Sequence, residues 1–428
     1  MGVYNYAVAL LAFVFVTTLA VLVISLYALL APLYPLFPVT IHRVICRLSE
    51  MGWSLFSWYS QKTLKLKFHY MDSRPLKLSL WQSVTNLEVS DAAISNAGTV
   101  EEIQRKTLVV APSCATLEQL PISKWPIRES AFICANHRGD MDWLVSLMYA
   151  YYELHSLSFT KFFVKQSLLY VPLFGYGMLM TGFIFVRRKW ENDKKRIEEA
   201  FSRILEVGKT VPLHLYCFLE GSRFTEKKKA QCDMWVDQQL RHQPHAVDGT
   251  SASSSGSSSS LDSITSGTGF VNPKLLVHKM QWVLQPRTKG FVASLKGLKG
   301  KLEAVYDLTI AYERDDPVGF WHVLAQLGQR EVHVLVRRWP IHELPESDED
   351  RSRWAFMLYS TKDAALDYFF DGPGNQKVFP PSHNALMEYH QKVYLPKMVI
   401  PLSRAGSVEG SPRNGENGEP GSKKRRNI

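Results

Sequence analysis

The fold of this chain is decided by one stretch, Ala131–Trp143, which reads Ala-Phe-Ile-Cys-Ala-Asn-His-Arg-Gly-Asp-Met-Asp-Trp. Its first five residues form an apolar run that is typical of a buried strand, and the helix-like run Leu144–Tyr152 follows the stretch. A buried strand that leads through a turn into a helix favours an α/β fold. His137 and Asp142 stand at this turn, where they suit a base and the carboxylate that orients it.

The spacing of His137 and Asp142 restricts how the two side chains can meet. Five residues of a continuous helix turn through about 500°, which leaves the side chains ~140° apart. They meet if His137 lies in the turn and Asp142 in the first helical turn, an arrangement that Gly139 and the potential N-cap Asp140 favour. Asp142 would then orient the imidazole as a general base. The alternative is a surface histidine, because this spacing arises by chance in roughly one of two chains with so many histidines.

Short apolar runs alternate with helix-patterned segments from about residue 126 to 330. The clearest helix is Lys194–Val207, and a helix-rich segment runs from Glu346 to Phe370. We predict strands at Ala131–Ala135, Phe183–Val186, Pro212–Leu219, Trp282–Leu284, Ala304–Ala311 and Val332–Val336. Continuous apolar strands separated by helices predict an α/β fold with a mainly parallel sheet flanked by helices.

The first 41 residues carry no charge, and Ala7–Leu30 is almost wholly apolar. A helix of that length is about 36 Å long, enough to cross the hydrocarbon core of a bilayer. A cleaved signal peptide would have a basic start and a shorter apolar core, so we expect a membrane anchor that either spans the bilayer or re-enters it. An amphipathic helix from Thr40 to Tyr59 completes the anchor. Because the nearby cations follow the apolar helix, the positive-inside rule places the rest of the chain in the cytosol; they are Arg43, Arg47, Lys62, Lys65 and Lys67.

Composition restricts the function classes. The net charge of +10 suggests an anionic partner, namely nucleic acid, an acidic membrane face or a phosphorylated substrate. Five cysteines without a C-x-x-C spacing indicate neither a disulfide framework nor a zinc site. We divide the chain into a membrane anchor (1–60), a variable segment (61–125), an α/β domain (126–330) with a flexible Ser-rich insert (240–270), a C-terminal lobe (331–403) and a disordered basic tail (404–428).

Three further predicted strands lead into polar residues. Arg187-Arg188-Lys189 is either an anion clamp or a solvated strand end. In Glu220-Gly221-Ser222-Arg223, Glu220 and Arg223 either bind substrate or pair with each other. Pro286-Arg287-Thr288-Lys289 ends the predicted strand at Pro286 and could face phosphates. Because the carboxyl ends of parallel strands converge, these residues should share one crevice with His137.

In their order and spacing, the four blocks resemble those of the glycerolipid acyltransferase superfamily. Residues Val283–Phe291 and Ala304–Thr309, and the run from Val332 to Asp363, are most similar to lysophosphatidic acid acyltransferases (1-acylglycerol-3-phosphate O-acyltransferases) of the plant endoplasmic-reticulum type. The resemblance covers residues 126–375 outside the insert. It implies a glycerol-3-phosphate acyltransferase-like fold in the endoplasmic reticulum membrane, with the catalytic domain facing the cytosol.

The resemblance also implies roles for individual residues. His137 would deprotonate the sn-2 hydroxyl of lysophosphatidic acid, which attacks acyl-CoA, and Asp142 would orient His137. Arg188 would hold the glycerol phosphate. Glu220, Gly221, Arg223, Pro286 and Lys165 match the remaining family positions and would bind substrate. The partners are then lysophosphatidic acid, acyl-CoA as co-substrate and the bilayer, with no metal, no further cofactor and no nucleic acid; the oligomeric state is not predicted.

Two alternatives stay open. Within the same chemistry, the acceptor could be another lysophospholipid, such as lysocardiolipin or lysophosphatidylinositol. From a different class, the chain could be a membrane-anchored binder of anionic lipid or nucleic acid without catalysis. Nothing in a binding module requires His137 and Asp142 beside the other blocks, so we favour the acyltransferase.

Overall fold

The computed structural model describes residues 3–72, 129–172, 174–188, 190–206, 212–241, 278–375 and 377–395. Most of the predicted Ser-rich insert, the basic tail and most of the variable segment lie outside the described residues.

The elements alternate as the sequence pattern predicts. The helices are α1 (Val3–Leu30), α2 (Pro38–Ser60), α3 (Asp142–Tyr152), α4 (Phe174–Met180), α5 (Trp190–Glu206), α6 (Glu226–Arg241), α7 (Thr288–Gly297), α8 (Phe320–Leu324), α9 (Asp348–Asp371) and α10 (His383–Tyr389). The strands are β1 (Leu64–Asp72), β2 (Ala131–Ala135), β3 (Thr160–Lys165), β4 (Ile184–Val186), β5 (His214–Cys217), β6 (Ala304–Tyr312) and β7 (Arg330–Pro340).

The described strands form one sheet in the order β1-β7-β6-β2-β5-β3-β4. Strands β6, β2, β5, β3 and β4 run parallel, whereas β7 is antiparallel to β6 and carries β1 parallel to itself. The predicted mainly parallel α/β sheet is confirmed. Strand β2 lies between β6 and β5, so the turn that follows it opens at the centre of the sheet.

Along each strand, successive side chains point to opposite faces of the sheet. Helices cover both faces, so both are buried. In β2, Phe132 and Cys134 point into a core formed with α5, α7, α9 and α10. Ala131, Ile133 and Ala135 point into the opposite core, which α2, α3 and α8 cover. A strand buried on both faces reads as a continuous apolar run, which explains why β2 was recognisable from sequence.

The predicted strand at Trp282–Leu284 is wrong. These residues form a bend, because carboxylates accept the hydrogen bonds that a neighbouring strand would otherwise accept. Asp363 on α9 accepts the backbone N–H groups of Gln281, Trp282 and Val283 at 2.6–2.8 Å. The apolar run therefore forms a loop held by side chains, and Pro286 lies on this loop before α7 rather than at a strand end.

Strands β1 and β3 were not predicted. Lysines alternate with apolar residues in the edge strand β1, and β3 is a short strand in a stretch with many breakers. The run Phe162–Val186, which is apolar enough to suggest a second membrane helix, contains β3, α4 and β4 and belongs to the α/β body.

Helix α1 differs from the rest of the chain in its surface. It is the one helix in the described ranges that is long and apolar enough to cross a membrane, and most of its residues are exposed. Ala12 and Val16 nevertheless pack against the α/β body, and Tyr27 packs with Ile41 and Ile45 of the predicted amphipathic helix α2. Both predicted helices of the anchor region are therefore present and in contact with the sheet domain.

Candidate active site

His137 and Asp142 meet as the spacing predicts. His137 lies in the turn after β2, Asp142 is the first residue of α3, and His137 Nδ1 lies 2.9 Å from Asp142 Oδ2. The buried Asp142 also accepts the N–H of Gly139 at 2.8 Å and the hydroxyl of Tyr312 at 2.6 Å. Since this carboxylate accepts all three bonds, Nδ1 carries the proton and Nε2 is left as a proton acceptor.

The imidazole is further fixed by its neighbours. Its ring stacks on Phe218, with ring centroids 4.5 Å apart and planes inclined by 25°. The side chain retains 21% exposure, and Nε2 has no partner in the described part of the chain. The pair is thus oriented from one side and open on the other, as a general base requires.

Glu220 holds the backbone of the turn. It is buried after β5, where Oε1 accepts the N–H of His137 at 2.8 Å and Oε2 accepts that of Leu284 at 3.1 Å. Burial raises the pKa of Glu220 to about 8, although the two N–H groups lower it. Glu220 and Arg223, whose pairing was one alternative, do not pair with each other. Glu220 instead joins the His137 turn to the loop before α7.

Arg138 fastens the same turn from the other side. Its guanidinium lies 4.9 Å from the ring centroid of Phe224 and 5.4 Å from that of Trp282. It also donates to the Trp282 carbonyl at 2.8 Å and pairs with Asp315. Through its cation–π contacts and hydrogen bond, Arg138 is a second connection, after Glu220, between the His137 turn and the loop before α7.

A cleft of about 1620 Å³ opens beside the imidazole. Six of the eight predicted site residues line it, namely His137, Lys165, Arg188, Glu220, Gly221 and Pro286. The cleft continues between apolar side chains of α1 and α2, including Phe15, Leu19, Val23, Trp53 and Phe56. It therefore combines a polar end that holds the base with a long apolar wall.

Arg187 and Arg188, which follow β4, make different contacts. Arg187 Nε donates to Gln166 at 3.0 Å, and its backbone N–H donates to Asp193 at 2.8 Å. Arg188 lines the cleft and adopts φ = +65°, a left-handed conformation that costs a non-glycine residue about 1–2 kcal/mol. Strained backbone of this kind is often found at functional sites.

Arg223 and Asp140 form an exposed ion pair at the rim. Arg223 was predicted to bind substrate, and it does not line the cleft. The prediction that Asp140 caps α3 is wrong, since the N-cap is Met141 and it makes no side-chain capping bond. Pairing with Arg223 occupies the Asp140 carboxylate instead.

Sequence reasoning missed Tyr312, Phe218 and Arg138. Tyr312 ends β6, the neighbour of β2, and Phe218 directly follows β5. The rule that strand ends converge could have pointed to both. Arg138 gave no such signal, because its aromatic partners are distant in sequence.

Two family models and several known proteins match this chain. The family model "Acyltransferase" matches residues 113–245, and "Acyltransferase C-terminus" matches residues 322–400. The chain is 29% identical to lysocardiolipin acyltransferase 1 of Gallus gallus, over 60% of each chain. It is 28% identical to 1-acyl-sn-glycerol-3-phosphate acyltransferase 3 of Arabidopsis thaliana, over 57% of this chain and 54% of the relative. It is 30% identical to 1-acyl-sn-glycerol-3-phosphate acyltransferase gamma of Homo sapiens, over 59% and 56%.

The matched region spans 54–60% of the length of these relatives. The match to the family model "Acyltransferase" includes the His137–Asp142 turn and the blocks that contain Arg188 and Glu220, whereas the block at Pro286 lies between the two family matches. These matches support the resemblance of the chain to the glycerolipid acyltransferase superfamily, and within it to the lysophosphatidic acid acyltransferases.

Proposed function

We propose that this protein transfers a fatty acyl group from acyl-CoA to the sn-2 hydroxyl of 1-acylglycerol-3-phosphate, giving phosphatidic acid. The observation that carries the proposal is the 2.9 Å contact between His137 Nδ1 and Asp142 Oδ2 at the wall of a cleft that also contains Arg188. A lysophosphatidate has a hydroxyl that must lose a proton, a phosphate and an apolar chain. The polar end and the apolar wall of the cleft match these three parts.

In this mechanism His137 Nε2 takes the proton of the acceptor hydroxyl, while Asp142 stabilises the imidazolium. The hydroxyl oxygen attacks the thioester carbon, a C–O bond forms, and the C–S bond breaks. The proton on Nε2 is then available to the leaving CoA thiolate. General-base assistance of this kind contributes about 10²–10⁴-fold, and positioning of the two substrates supplies the rest.

The proposal also places the enzyme at a membrane. Helix α1 suits insertion by its length and composition, and the cations that follow it favour a cytosolic catalytic domain. Resemblance to the plant-type enzymes supports the endoplasmic reticulum membrane. A lysolipid could then enter along the apolar wall of α1 and α2 without leaving the lipid phase.

A second candidate is a lysocardiolipin acyltransferase. The relative in Gallus gallus that carries this name is as similar to the chain as the relatives named 1-acyl-sn-glycerol-3-phosphate acyltransferase. The catalytic chemistry is the same, and the acceptor differs in having phosphodiesters in place of a terminal phosphate.

The test is a CoA-release assay on the full chain in detergent or vesicles. Oleoyl-CoA and palmitoyl-CoA serve as donors, and lysophosphatidate, lysophosphatidylinositol and monolysocardiolipin serve as acceptors. We expect the wild type to release CoA with lysophosphatidate as acceptor. We expect the His137→Ala variant to release none, although its expression and its unfolding transition match those of the wild type. Equal use of all acceptors would contradict the first choice, and full activity of His137→Ala would contradict the mechanism.

A further inference from the structure

A carboxylate from the C-terminal lobe holds the loop before α7. Asp363, a fully buried residue of α9, accepts the backbone N–H groups of Trp282 and Val283 on Oδ1, at 2.6 and 2.8 Å. Its Oδ2 accepts the N–H of Gln281 at 2.8 Å and the hydroxyl of Tyr394. Four donors therefore compensate the burial of one negative charge.

The ionised side chain is the form that suits these contacts. Burial raises the pKa of Asp363 to about 6, although the hydrogen bonds from Tyr394 and from the loop N–H groups lower it. At neutral pH the group is therefore a carboxylate, which accepts hydrogen bonds on both oxygens and donates none. An amide of the same size would present a donor to at least one of these donors.

The loop that Asp363 holds is in contact with the His137 turn. The two oxygens of Glu220 accept the N–H groups of His137 and Leu284 at 2.8 and 3.1 Å. Arg138 donates to the carbonyl of Trp282 at 2.8 Å. Both contacts start from the backbone that the α9 carboxylate holds, or from the residue directly after it. A shift of the loop would therefore move the residues on either side of the imidazole.

Helix α9 also contacts the strand that leads to the base. Tyr359 donates its hydroxyl at 3.0 Å to the carbonyl of Ala135, the last residue of β2. Phe370 stacks on Trp282, with ring centroids 4.5 Å apart. Because Tyr359, Asp363 and Phe370 are four and seven residues apart, they lie along one face of the helix. One face of α9 thus contacts both the end of β2 and the loop.

The helix is itself fixed to the sheet by neighbouring residues of the same turn. Thr361 accepts a hydrogen bond from Arg337 of β7 at 2.9 Å. Lys362 forms a fully buried ion pair with Asp307 of β6. These contacts stabilise the packing of α9 on the sheet and do not involve the loop. They distinguish a side chain that only stabilises the fold from one that acts on the loop.

We propose that Asp363 is a positioning residue for the base: it fixes the loop before α7, and the loop fixes the His137 turn through Glu220 and Arg138. The inference rests on the proposed function for its chemistry, and it makes the C-terminal lobe part of the active site. Asp363 does not line the cleft, so it acts through the turn. The base must lie within hydrogen-bond reach of the acceptor hydroxyl, and a misplacement of about 1 Å costs up to about 10²-fold in rate.

The variant Asp363→Asn tests the proposal, because an amide offers only one acceptor oxygen to the four donors. Acyl transfer by the full chain is measured with lysophosphatidate and with its analogue that carries a thiol at sn-2, and mass spectrometry quantifies the acylated product. A thiol has a pKa of about 8.5 and attacks as the thiolate, so it depends little on a base. The ratio of kcat for the hydroxyl acceptor to kcat for the thiol acceptor therefore reports the position of His137, and a loss of folded protein cancels from it.

We expect this ratio to fall by about 10–10²-fold in Asp363→Asn, with little change in the KM for lysophosphatidate. Thr361→Val is the matched control for stability, since it removes a buried hydrogen bond of the same helical turn and leaves the loop contacts in place. Asp348→Asn, at the exposed start of α9, is the control for the chemical change. Both controls should keep the ratio of the wild type. An unchanged ratio in Asp363→Asn overturns the proposal, however much stability is lost.

A second variant serves if Asp363→Asn does not fold. Tyr394→Phe removes only the hydroxyl that donates to Asp363, and it leaves the three N–H groups of the loop with their acceptor. We expect the ratio of the two kcat values to fall several-fold. A folded Tyr394→Phe protein with the ratio of the wild type would then overturn the proposal.

Hydrogen–deuterium exchange separates this inference from the proposed function, because it needs no turnover. In Asp363→Asn the N–H groups of residues 281–284 and of His137 should exchange faster than in the wild type, and in Thr361→Val they should not. If the wild type transfers no acyl group and both segments respond, the proposed function fails and the control of the turn by Asp363 stands. If the wild type is active and the response is limited to the loop, the function stands and the proposal fails.

Discussion

The His137 turn and three cations, Arg188, Lys228 and Arg287, which we call the cation face, line the same cleft and are built in opposite ways. Around His137, the carboxylates of Asp142 and Glu220 accept hydrogen bonds at 2.6–3.1 Å from backbone and side-chain donors. The cation face has three positive side chains without an ion-pair partner among the described residues. A base must keep one orientation before the substrate arrives, whereas a binding surface gains most when the ligand supplies the missing charge.

This comparison predicts that the two regions affect different kinetic constants. Disturbing the hydrogen bonds of the turn should lower kcat, because the orientation of the base matters in the transition state. Removing a cation should raise KM, because the bond to a phosphate exists before and during the reaction. The variants below test this division, from the largest expected effect to the smallest.

Asp142→Asn should have the largest effect. The amide keeps the size of the side chain, but it cannot hold the imidazole in the tautomer with Nδ1 protonated as the carboxylate does. We expect kcat to fall by about 10²–10⁴-fold with little change in the KM for lysophosphatidate. Steady-state kinetics measure both constants, and the neighbouring exposed carboxylate gives the control variant Asp140→Asn. A loss of kcat no larger than that of the control would remove Asp142 from the mechanism.

Glu220→Gln should have an intermediate effect, on stability. Both oxygens of the carboxyl group retain acceptor capacity when it is protonated, whereas the amide nitrogen only donates, so the N–H of His137 or of Leu284 loses its partner, at a cost of about 1–3 kcal/mol in the free energy of unfolding. The loss depends on pH because burial raises the pKa of Glu220 from 4.5 to about 8. Between these two values the folded chain retains a proton that the unfolded chain has released. The free energy of unfolding of the wild type therefore falls as pH rises through this window, and it is constant with respect to this group above it.

Glutamine does not titrate, so position 220 contributes no such fall to the free energy of unfolding of Glu220→Gln. We expect the advantage of the wild type over Glu220→Gln to be largest near pH 5 and to shrink by pH 8. Denaturant unfolding of both proteins in the same detergent at the two pH values measures the difference, and other titrating groups cancel. Two stability curves that stay parallel would show that Glu220 is ionised throughout.

The His137 turn could be predicted because its information is local. Strand β2, Asp142 and α3 lie within 22 residues, and both the apolar run and the spacing of the pair are visible in that window. The hydroxyl that completes the pair comes from Tyr312, 170 residues further along the chain. Periodicity in a short window cannot report such a contact.

The loop before α7 could not be predicted for a related reason. Trp282–Leu284 has the composition of a buried strand, and its N–H groups are satisfied as a strand's would be. The acceptors, however, are the carboxyl groups of Asp363 and Glu220, which are 64–81 residues away. Residues Arg287 and Pro286 are positioned by this loop, so the cation face was only partly visible from the sequence.

Asp140→Asn should have the smallest effect, and it tests the boundary between the two regions. Asp140 and Arg223 are 63% and 42% exposed as side chains, and an ion pair this open stabilises a protein by about 0.2–1 kcal/mol. Breaking it frees a fourth cation at the rim, so the KM for lysophosphatidate should fall slightly at low ionic strength. The fall should vanish between about 0.01 and 0.15 M salt, where the Debye length shortens from ~30 to ~8 Å. If the KM for lysophosphatidate instead rises and the rise persists at high salt, Arg223 contacts the substrate only while Asp140 holds the Arg223 side chain in place. The Asp140–Arg223 pair would then belong to the ordered His137 turn rather than to the cation face.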